Sequence, residues 1–284
     1  MKIAVSSGKG GTGKTTVATN LAITASEQGI RTAYLDCDVE EPNGFLFLKP
    51  DIAESRQVNV SVPRVDLDKC VGCGQCGRIC QYSAIVSMNK QVLVFDELCH
   101  GCGGCMLVCK AGAITESFIP TGRLDLGRSS QIECVQGLLD IGRAMSPPVI
   151  RAVKDAAPDA ELLIIDSPPG TSCPVIESVR GADLVLLVTE PTPFGLNDLK
   201  LAVDMVNALK LPLAVVINRS DIGNDETRMF CHNQNIDILC EIPFDRRVAE
   251  AYSRGVPACR ALSEQGRVYA DLLKKIMSRG GANA

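Results

Sequence analysis

Short apolar segments alternate with longer amphipathic ones over most of the chain. Each apolar segment is nearly continuous, which is typical of strands that are covered on both faces of a sheet. The predicted strands are 2–7, 32–38, 161–169, 182–190 and 213–220. Helical spacing of apolar residues predicts helices at 15–27, 146–156, 195–209 and 225–235. This alternation indicates an α/β fold, a doubly wound and mostly parallel sheet with helices on both faces.

One region, residues 58–116, interrupts the alternation. It contains two short strand-like pieces, 59–66 and 90–96, and two dense groups of cysteines. We therefore expect a small inserted α+β domain at 58–116, which divides the larger domain into residues 1–57 and 117–284.

The pattern of the larger domain resumes after the insert with a predicted strand at 128–137. A final helix at 268–277 has its apolar residues on one face. Such a face can bind a membrane or pack on a protein core, and we expect it to dock on the core.

Composition narrows the class of protein. The 284 residues are 46% hydrophobic with a net charge of −4, and no basic run stands out, so we expect no nucleic-acid partner. No apolar run is long enough to span a bilayer, and Met1 leads directly into the first predicted strand. We therefore expect a cytoplasmic protein without stable membrane insertion. The cysteines, 14 in all, are then expected to be reduced thiols, with metal ligands among them.

The segment GKGGTGKTT lies between the first predicted strand and the first predicted helix. Glycines at such a junction let backbone N–H groups face phosphate oxygens, and the helix N-terminus adds its positive dipole. We expect Lys14 to contact the β- and γ-phosphates, Thr15 to offer its hydroxyl to Mg²⁺, and Thr16 to contact the α-phosphate. The predicted nucleotide-binding residues of the loop are Gly10, Gly11, Thr12, Gly13, Lys14, Thr15 and Thr16.

An additional lysine, Lys9, precedes the glycines of this loop. The segment KGGTGKTT resembles the deviant phosphate-binding loop of the ATPase superfamily that includes MinD, ParA, Mrp and the nitrogenase iron protein. In that family the added lysine reaches the nucleotide of the facing subunit. The resemblance implies a Mg²⁺-dependent ATPase with ATP or ADP as cofactor, catalytic roles for Lys9 and Lys14, and an ATP-dependent homodimer.

The same resemblance assigns acidic residues that follow predicted strands. Asp36 and Asp38 lie in DCDVEEPN, and Asp38 resembles the family's catalytic aspartate, which orients the attacking water. Asp166 in LLIIDSPPG resembles the aspartate near Mg²⁺, and Gly170 is placed to sense the γ-phosphate through its N–H. The alternative for the three acids is helix capping or turn formation.

Two later segments resemble the family's base-binding region. Asn218 in VVINRSD resembles the asparagine that contacts adenine, and a buried asparagine that caps a strand is the alternative. Pro243 and Phe244 fall in EIPFDRR, which resembles the segment that closes over the base.

Two cysteine runs repeat at an offset of 29 residues, with Cys-x2-Cys-x2-Cys-x3-Cys beginning at Cys70 and again at Cys99. They resemble the bacterial two-cluster ferredoxin, in which the fourth cysteine of each run binds the other cluster. The resemblance implies two 4Fe–4S clusters per chain. One would be held by Cys70, Cys73, Cys76 and Cys109, and the other by Cys99, Cys102, Cys105 and Cys80.

Zinc is the alternative metal for these runs, because eight cysteines suffice for two tetrahedral Zn²⁺ sites. Zinc sites more often pair two Cys-x2-Cys units, which favours the clusters. Gln81 and Lys110 stand where the ferredoxin pattern has proline, a departure that bears on the surroundings of the clusters. We expect His100, inside the second run, to lie beside the ligands or at the surface, because cysteines already fill the coordination sphere.

Six further cysteines lie outside the runs, and most are expected to be small buried hydrophobes. Cys173 follows Asp166 by seven residues, a spacing similar to that of a cluster cysteine in the nitrogenase iron protein. Cys134 falls broadly where that protein has its other ligand. The resemblance thus suggests a third 4Fe–4S cluster, which would be shared across a dimer and held by Cys134 and Cys173 of each subunit. The alternative is that both are buried or redox-sensitive thiols.

Three functions are compatible with these features. The first is an ATPase whose dimer switch is coupled to electron transfer with an unidentified redox partner. The second is an Mrp-type carrier that passes clusters to an acceptor protein, although such relatives use a late Cys-x-x-Cys pair, which is absent after Cys109. The third is a MinD- or ParA-like spatial regulator with a structural insert.

Overall fold

The structure is a computed structural model that describes residues 1–88 and 91–280. The described strands are β1 (Lys2–Ser6), β2 (Thr32–Asp36), β3 (Asp51–Val65), β4 (Ile85–Met88), β5 (Gln91–Val94), β6 (Ile114–Ser129), β7 (Ile132–Leu139), β8 (Leu162–Asp166), β9 (Leu184–Thr189), β10 (Leu213–Asn218) and β11 (Ile238–Ile242). The helices are α1 (Lys14–Glu27), α2 (Gly44–Leu48), α3 (Gln75–Ile79), α4 (Gly104–Leu107), α5 (Pro147–Asp155), α6 (Cys173–Val179), α7 (Pro193–Ala208), α8 (Glu226–Asn233), α9 (Arg246–Tyr252), α10 (Ala258–Ala261) and α11 (Ser263–Gly280).

Nine of these strands form one sheet in the order β11-β10-β9-β1-β8-β2-β7-β6-β3. All neighbours from β11 to β7 pair in parallel, which confirms the predicted α/β fold with a mostly parallel sheet. Register places Asp36 of β2 opposite Asp166 of β8, and Asp166 opposite Val5 of β1. The carboxyl ends of these three strands therefore meet at one edge, where ligands bind in open α/β sheets.

Two helices show how sequence pattern becomes packing. Helix α1 begins after Gly13, whose left-handed conformation (φ 98°) lets the preceding loop turn into the helix. Helix α11 buries Tyr269, Leu272, Leu273 and Ile276, each at most 1% exposed, in the main hydrophobic core. The expectation that this face docks on the core is confirmed.

The chain divides into two compact units. The first contains residues 1–55, 124–138 and the chain from Ile150 onward, and the second contains 56–123 and 139–149. The second unit is wider than the insert expected at 58–116, because it also includes residues 56–57, 117–123 and 139–149. Strands β3 and β6 each contain a boundary between the units.

Two predicted strands differ from the structure. The short strand expected at 59–66 is the C-terminal part of a longer strand, the 15-residue β3. Pro63 lies inside β3 and does not end it. The strand expected at 128–137 is interrupted by a two-residue turn, in which Ser130 has a φ of 55°. Such a short connection joins antiparallel strands, so β6 and β7 form a hairpin at this point.

The smaller sheet belongs to the second unit. Strands β4 and β5 pair antiparallel, with Ile85 opposite Val94. Lys90, the first residue of the strand expected at 90–96, lies outside the described residues. No helix in the described parts of the chain is long and apolar enough to cross a membrane.

Candidate functional site

The phosphate-binding loop runs from β1 to α1, and close packing holds it from two sides. A Cβ on Gly13 would overlap the side-chain nitrogen of Asn218, and a Cβ on Gly8 would overlap the backbone of Asp198. The Asn218 amide donates to the backbone oxygen of Thr12 at 2.8 Å. Gly10 has open space where a Cβ would stand, so the centre of the loop is free on its outer side.

Two buried carboxylates lie below the loop at the ends of β2 and β8. The Tyr34 hydroxyl donates to Asp166 Oδ2 at 2.8 Å, and both residues are fully buried. The other oxygen, Oδ1, has no partner with good hydrogen-bond geometry among the described residues, although the Thr15 hydroxyl lies near enough to Asp166 to favour its charged form. Asp36 Oδ2 accepts from the backbone N–H of Gly44 at 2.9 Å, which ties α2 to β2. A buried carboxylate oxygen without a partner is a candidate site for a cation or its bound water.

Electrostatic shifts concentrate at this edge of the sheet. Burial raises the pKa of Asp166, and the nearby Thr15 and Tyr34 hydroxyls and Lys14 oppose that rise. Burial, and then the charge of Asp166, raises the pKa of Asp38 to about 7. Burial lowers the pKa of Lys14, although the charges of Asp166 and Asp38 act against it. Such clustered shifts are typical of functional sites.

A cavity of about 470 Å³ opens beside the loop. The predicted residues that line it are Gly10, Gly11, Gly13, Lys14, Thr15, Thr16, Asp38, Asn218, Pro243 and Phe244. Its volume is in the range of about 300–1,000 Å³ that is usual for small-molecule sites. Asp166 lies buried beneath the loop, and Gly170 donates to the Ser7 backbone oxygen at 3.0 Å. Within the described chain, Lys9, Thr12 and Gly170 do not line the cavity.

Gln265 and Tyr34 are among the residues of this site that the sequence pattern did not single out. Gln265 of α11 lines the cavity, is 4% exposed, and has no hydrogen-bond partner for Oε1 among the described residues. A signal was present, because Gln265 precedes the buried Tyr269 and Leu272 by four and seven residues and so shares their face. Tyr34 had no such signal, because an aromatic residue in an apolar strand predicts only burial.

The second unit contains two further cavities. Cavity A is lined by Cys70, Cys73, Cys76 and Cys109. Cavity B is lined by Cys80, Cys99, Cys102 and Cys105. Each cavity therefore takes three cysteines from one run and the fourth from the other run, the same sets that the ferredoxin resemblance implies.

The thiols of each set influence one another. Burial, followed by the charges of Cys102 and Cys80, raises the pKa of Cys99 against a hydrogen bond from Gly101. Burial also acts on Cys80, but backbone N–H groups of residues 82–85 outweigh it and lower the pKa of this thiol. Such N–H groups favour a thiolate. No group of three or more His, Cys, Asp or Glu within the described residues is arranged to hold one metal ion.

The structure does not bring Cys134 and Cys173 to one surface. Cys134 lies on β7 in the main core, is 1% exposed, and donates to the Ile132 backbone oxygen at 3.5 Å. Burial raises the pKa of Cys134 to about 12. Cys173 is exposed at the start of α6. Cys134 lies on the side of β7 that faces the core, whereas Cys173 is exposed to solvent. The structure therefore gives no support to a third cluster held by this pair.

The loop after β1, its helix α1 and the acidic ends of β2 and β8 define the class of P-loop nucleotide-binding α/β proteins. Residues 3–258 match the family described as the CobQ/CobB/MinD/ParA nucleotide binding domain, and the chain belongs to that family.

Relatives and solved structures agree with this placement. Two uncharacterized proteins of Methanocaldococcus jannaschii are 31% and 32% identical, over 90% and 97% of this chain and 90% and 96% of their own. An iron-sulfur cluster carrier protein of Pyrococcus horikoshii is 25% identical, over 99% of this chain and 89% of its own. MinD of Pyrococcus horikoshii, solved with Mg-ADP, matches in fold with a TM-score of 0.61 and 20% identity, over 100% of this chain and 98% of that one.

Proposed function

We propose that this protein is a Mg²⁺-dependent ATPase whose nucleotide cycle is coupled to electron transfer through two 4Fe–4S clusters. The observation that carries the cluster assignment is the sorting of eight cysteines into cavities A and B, four in each. The nucleotide assignment rests on the family and on the loop beside the 470 Å³ cavity.

The residues around the loop fit a nucleotide with Mg²⁺. Lys14 is 6% exposed and lies among the charges of Asp166 and Asp38, so it presents a desolvated ammonium group to phosphate. When bound, Mg²⁺ would neutralise phosphate charge, with Thr15 and Asp166 as its nearest protein groups. The unpartnered Oδ1 of Asp166 supports this placement.

Asp38 is the residue best placed to orient an attacking water. It is half-buried, it lines the cavity, and its pKa of about 7 lets it accept a proton near neutral pH. Lys9 is half-buried in the loop and lies outside the cavity lining in the described chain. We assign it to the nucleotide of a facing subunit, which makes the active form a homodimer.

The cysteine cavities fit clusters better than single ions. A zinc site needs four sulfurs at about 2.3 Å from one point. The four thiols of each set line one small cavity, about 20 Å³ in cavity A and about 30 Å³ in cavity B. In each set three cysteines belong to one Cys-x2-Cys-x2-Cys run and the fourth to the other run, which is the two-cluster ferredoxin pattern and not the paired Cys-x2-Cys units of zinc sites. A cluster held in this way supplies one-electron redox chemistry when bound, and the fourth cysteine from the opposite run joins the two halves of the unit.

Chain continuity supports coupling between nucleotide and clusters. The segment after Asp38 leads into α2, whose first residue, Gly44, donates to Asp36. Strand β3 begins three residues after α2 ends and continues into the cysteine unit. A change at Asp36 when nucleotide binds or is cleaved therefore acts on the strand that enters that unit.

Cluster carriage is the second candidate function, and it is favoured by several relatives that are iron-sulfur cluster carrier proteins and are 23–27% identical to this chain. The absence of a Cys-x-x-Cys pair after Cys109 argues against it. A spatial regulator has weaker support, because the likeness to MinD at 20% identity concerns the fold alone.

One experiment separates the first two functions. The protein is reconstituted anaerobically with iron and sulfide, reduced, and mixed with ATP and Mg²⁺ and either a one-electron acceptor protein or an apo-ferredoxin. We expect ATP to change the rate of electron transfer at constant iron content, and Lys14→Ala to abolish the ATP effect. Iron that moves to the apo-ferredoxin, with electron transfer indifferent to ATP, would overturn the electron-transfer proposal in favour of carriage.

A further inference from the structure

Cavities A and B are built from repeated sequence, but their rims differ. The 29-residue offset that relates Cys70 to Cys99 also relates Val71 to His100. It likewise relates Tyr82 to Ala111. Val71 and Ala111 both line cavity A, whereas Tyr82 and His100 both line cavity B. The repeat therefore places an apolar pair at one cavity and an aromatic, polar pair at the matching positions of the other.

The pair at cavity B is in direct contact. The rings of Tyr82 and His100 stack with their centroids 3.3 Å apart and their planes within 10° of each other. Tyr82 lies two residues after Cys80, and His100 directly follows Cys99. The stack thus connects the two cysteine runs beside two thiols that face the same cavity.

The chemistry of the two rims is different. A tyrosine hydroxyl and a histidine ring N–H are hydrogen-bond donors, whereas valine and alanine side chains have none. Adding an electron to a cluster adds negative charge, and nearby donors and dipoles stabilise that charge. Cavity A also has two polar side chains in its lining, Gln75 and Ser87, but no aromatic or imidazole ring among the described residues that line it. The cavity that carries the Tyr82–His100 pair should therefore be reduced more easily than the cavity whose matching positions are Val71 and Ala111.

We propose that the Tyr82–His100 pair makes the two cavities unequal as electron sites, and that the single electron of a half-reduced chain resides in cavity B. This inference rests on the proposed function, in which both cavities hold clusters. One electron enters from an external one-electron reductant, which is oxidised, and its passage from cavity A to cavity B leaves the total charge of the chain unchanged. The pair gives electron flow within the unit a direction.

The internal repeat supplies a matched test. The double variant Y82A/H100V gives cavity B the rim residues of cavity A, and V71H/A111Y makes the reciprocal change. Each protein is reconstituted anaerobically, its iron is counted, and it is titrated with dithionite while the EPR signal is recorded. Leu107→Ala serves as a surface control, since Leu107 is 87% exposed and lines neither cavity in the described chain.

We expect the wild-type protein to reduce in two separate one-electron steps. In Y82A/H100V the easier step should become harder by at least about tenfold in the equilibrium constant, or about 59 mV for one electron. In V71H/A111Y the harder step should become easier. Steps that stay unchanged in both variants, or a shift of the harder step in Y82A/H100V, would overturn the inference.

The outcomes also separate this inference from the proposed function. Wild-type iron well below about eight atoms per chain would reject the two clusters themselves, and the inference with them. Full iron with unmoved steps rejects only the role of the pair. If Y82A/H100V loses iron, V71H/A111Y is the deciding variant, because it leaves the lining of cavity B unchanged. If the harder reduction step of V71H/A111Y stays where it is in the wild type, the inference is refuted.

Discussion

Removing the Tyr34 hydroxyl tests whether Asp166 is held in place for a cation. Tyr34→Phe deletes the 2.8 Å hydrogen bond to Asp166 Oδ2 in a fully buried site. A hydrogen bond to a charged group contributes about 1.5–3 kcal/mol, and its loss leaves a carboxylate whose Oδ1 already lacks a partner. We therefore expect the free energy of unfolding to fall by about 2 kcal/mol. Loss of a residue that orients a metal-binding group weakens metal affinity by about 10- to 100-fold.

Two assays measure these effects, and a variant on the same strand separates them. Denaturant unfolding without nucleotide gives the stability change, and Mg²⁺ titration of a bound fluorescent ADP analogue gives the affinity. Thr32→Val is the control, because Thr32 is 1% exposed on β2 and its hydroxyl donates to the Ile30 backbone oxygen at 2.8 Å. It should lose about 1 kcal/mol of stability with unchanged Mg²⁺ affinity. Mg²⁺ affinity within twofold of wild type in Tyr34→Phe would refute the positioning role.

Three further predictions concern the nucleotide site. Lys14→Ala should weaken ATP binding by about 10- to 100-fold. Lys9→Ala should leave ATP binding to the monomer unchanged but abolish dimer-dependent hydrolysis. Equal losses of ATP affinity in the two variants, measured at equilibrium, would contradict their separate roles. Gly13→Ala should lower both stability and nucleotide affinity, because φ is 98° and an added Cβ would overlap the Asn218 amide. Gly29→Ala is the control, because Gly29 also has a positive φ but has open space where the Cβ would stand, so it measures backbone strain alone. Similar losses of stability in both variants would contradict a role for the overlap with Asn218. Because the pKa of Asp38 is raised to about 7, the folded chain without nucleotide or Mg²⁺ binds more protons than the unfolded chain below that pH, so stability should fall as pH rises from about 4 to 7. Unfolding measured across this range should show a smaller fall in Asp38→Asn, and an unchanged slope would contradict the assignment.

The parallel core was predictable because its strands are continuous apolar segments. Buried strands such as β8 and β9 leave few alternatives to a covered sheet. The hairpin between β6 and β7 was not predictable, because Ser130 adopts a left-handed conformation that no glycine or asparagine announces. The full length of β3 was not predictable, because it contains Pro63, and proline is usually found at the end of a strand or on an edge strand.

The residues of the candidate site also divide into those that a sequence motif predicts and those that only the folded structure reveals. Residues with a fixed motif, such as Lys14 and Thr15, were predictable because phosphate binding requires a particular backbone path. Tyr34 acts through a contact with Asp166, 132 residues along the chain, which no local pattern specifies. The helical spacing of Gln265 indicated its buried face but not the cavity that it lines. Cys134 shows the reverse case. Its place in the chain broadly matched that of a ligand in the nitrogenase iron protein, but its position on β7, opposite Tyr34 of β2, lies in the core, as the alternative of a buried thiol had it.

The most direct test of the central claim is the iron content and EPR spectrum of the reconstituted protein, with and without ATP and Mg²⁺. Two 4Fe–4S clusters predict about eight iron atoms per chain. We also expect an EPR signal that changes with ATP in the wild type but not in Lys14→Ala. Cys80→Ser should disturb the spectrum of the second-run cluster, because Cys80 lines cavity B, whereas Cys240→Ser, outside both cavities, should leave it unchanged. Iron near two atoms per chain, or spectra blind to ATP, would contradict an ATPase coupled to two clusters.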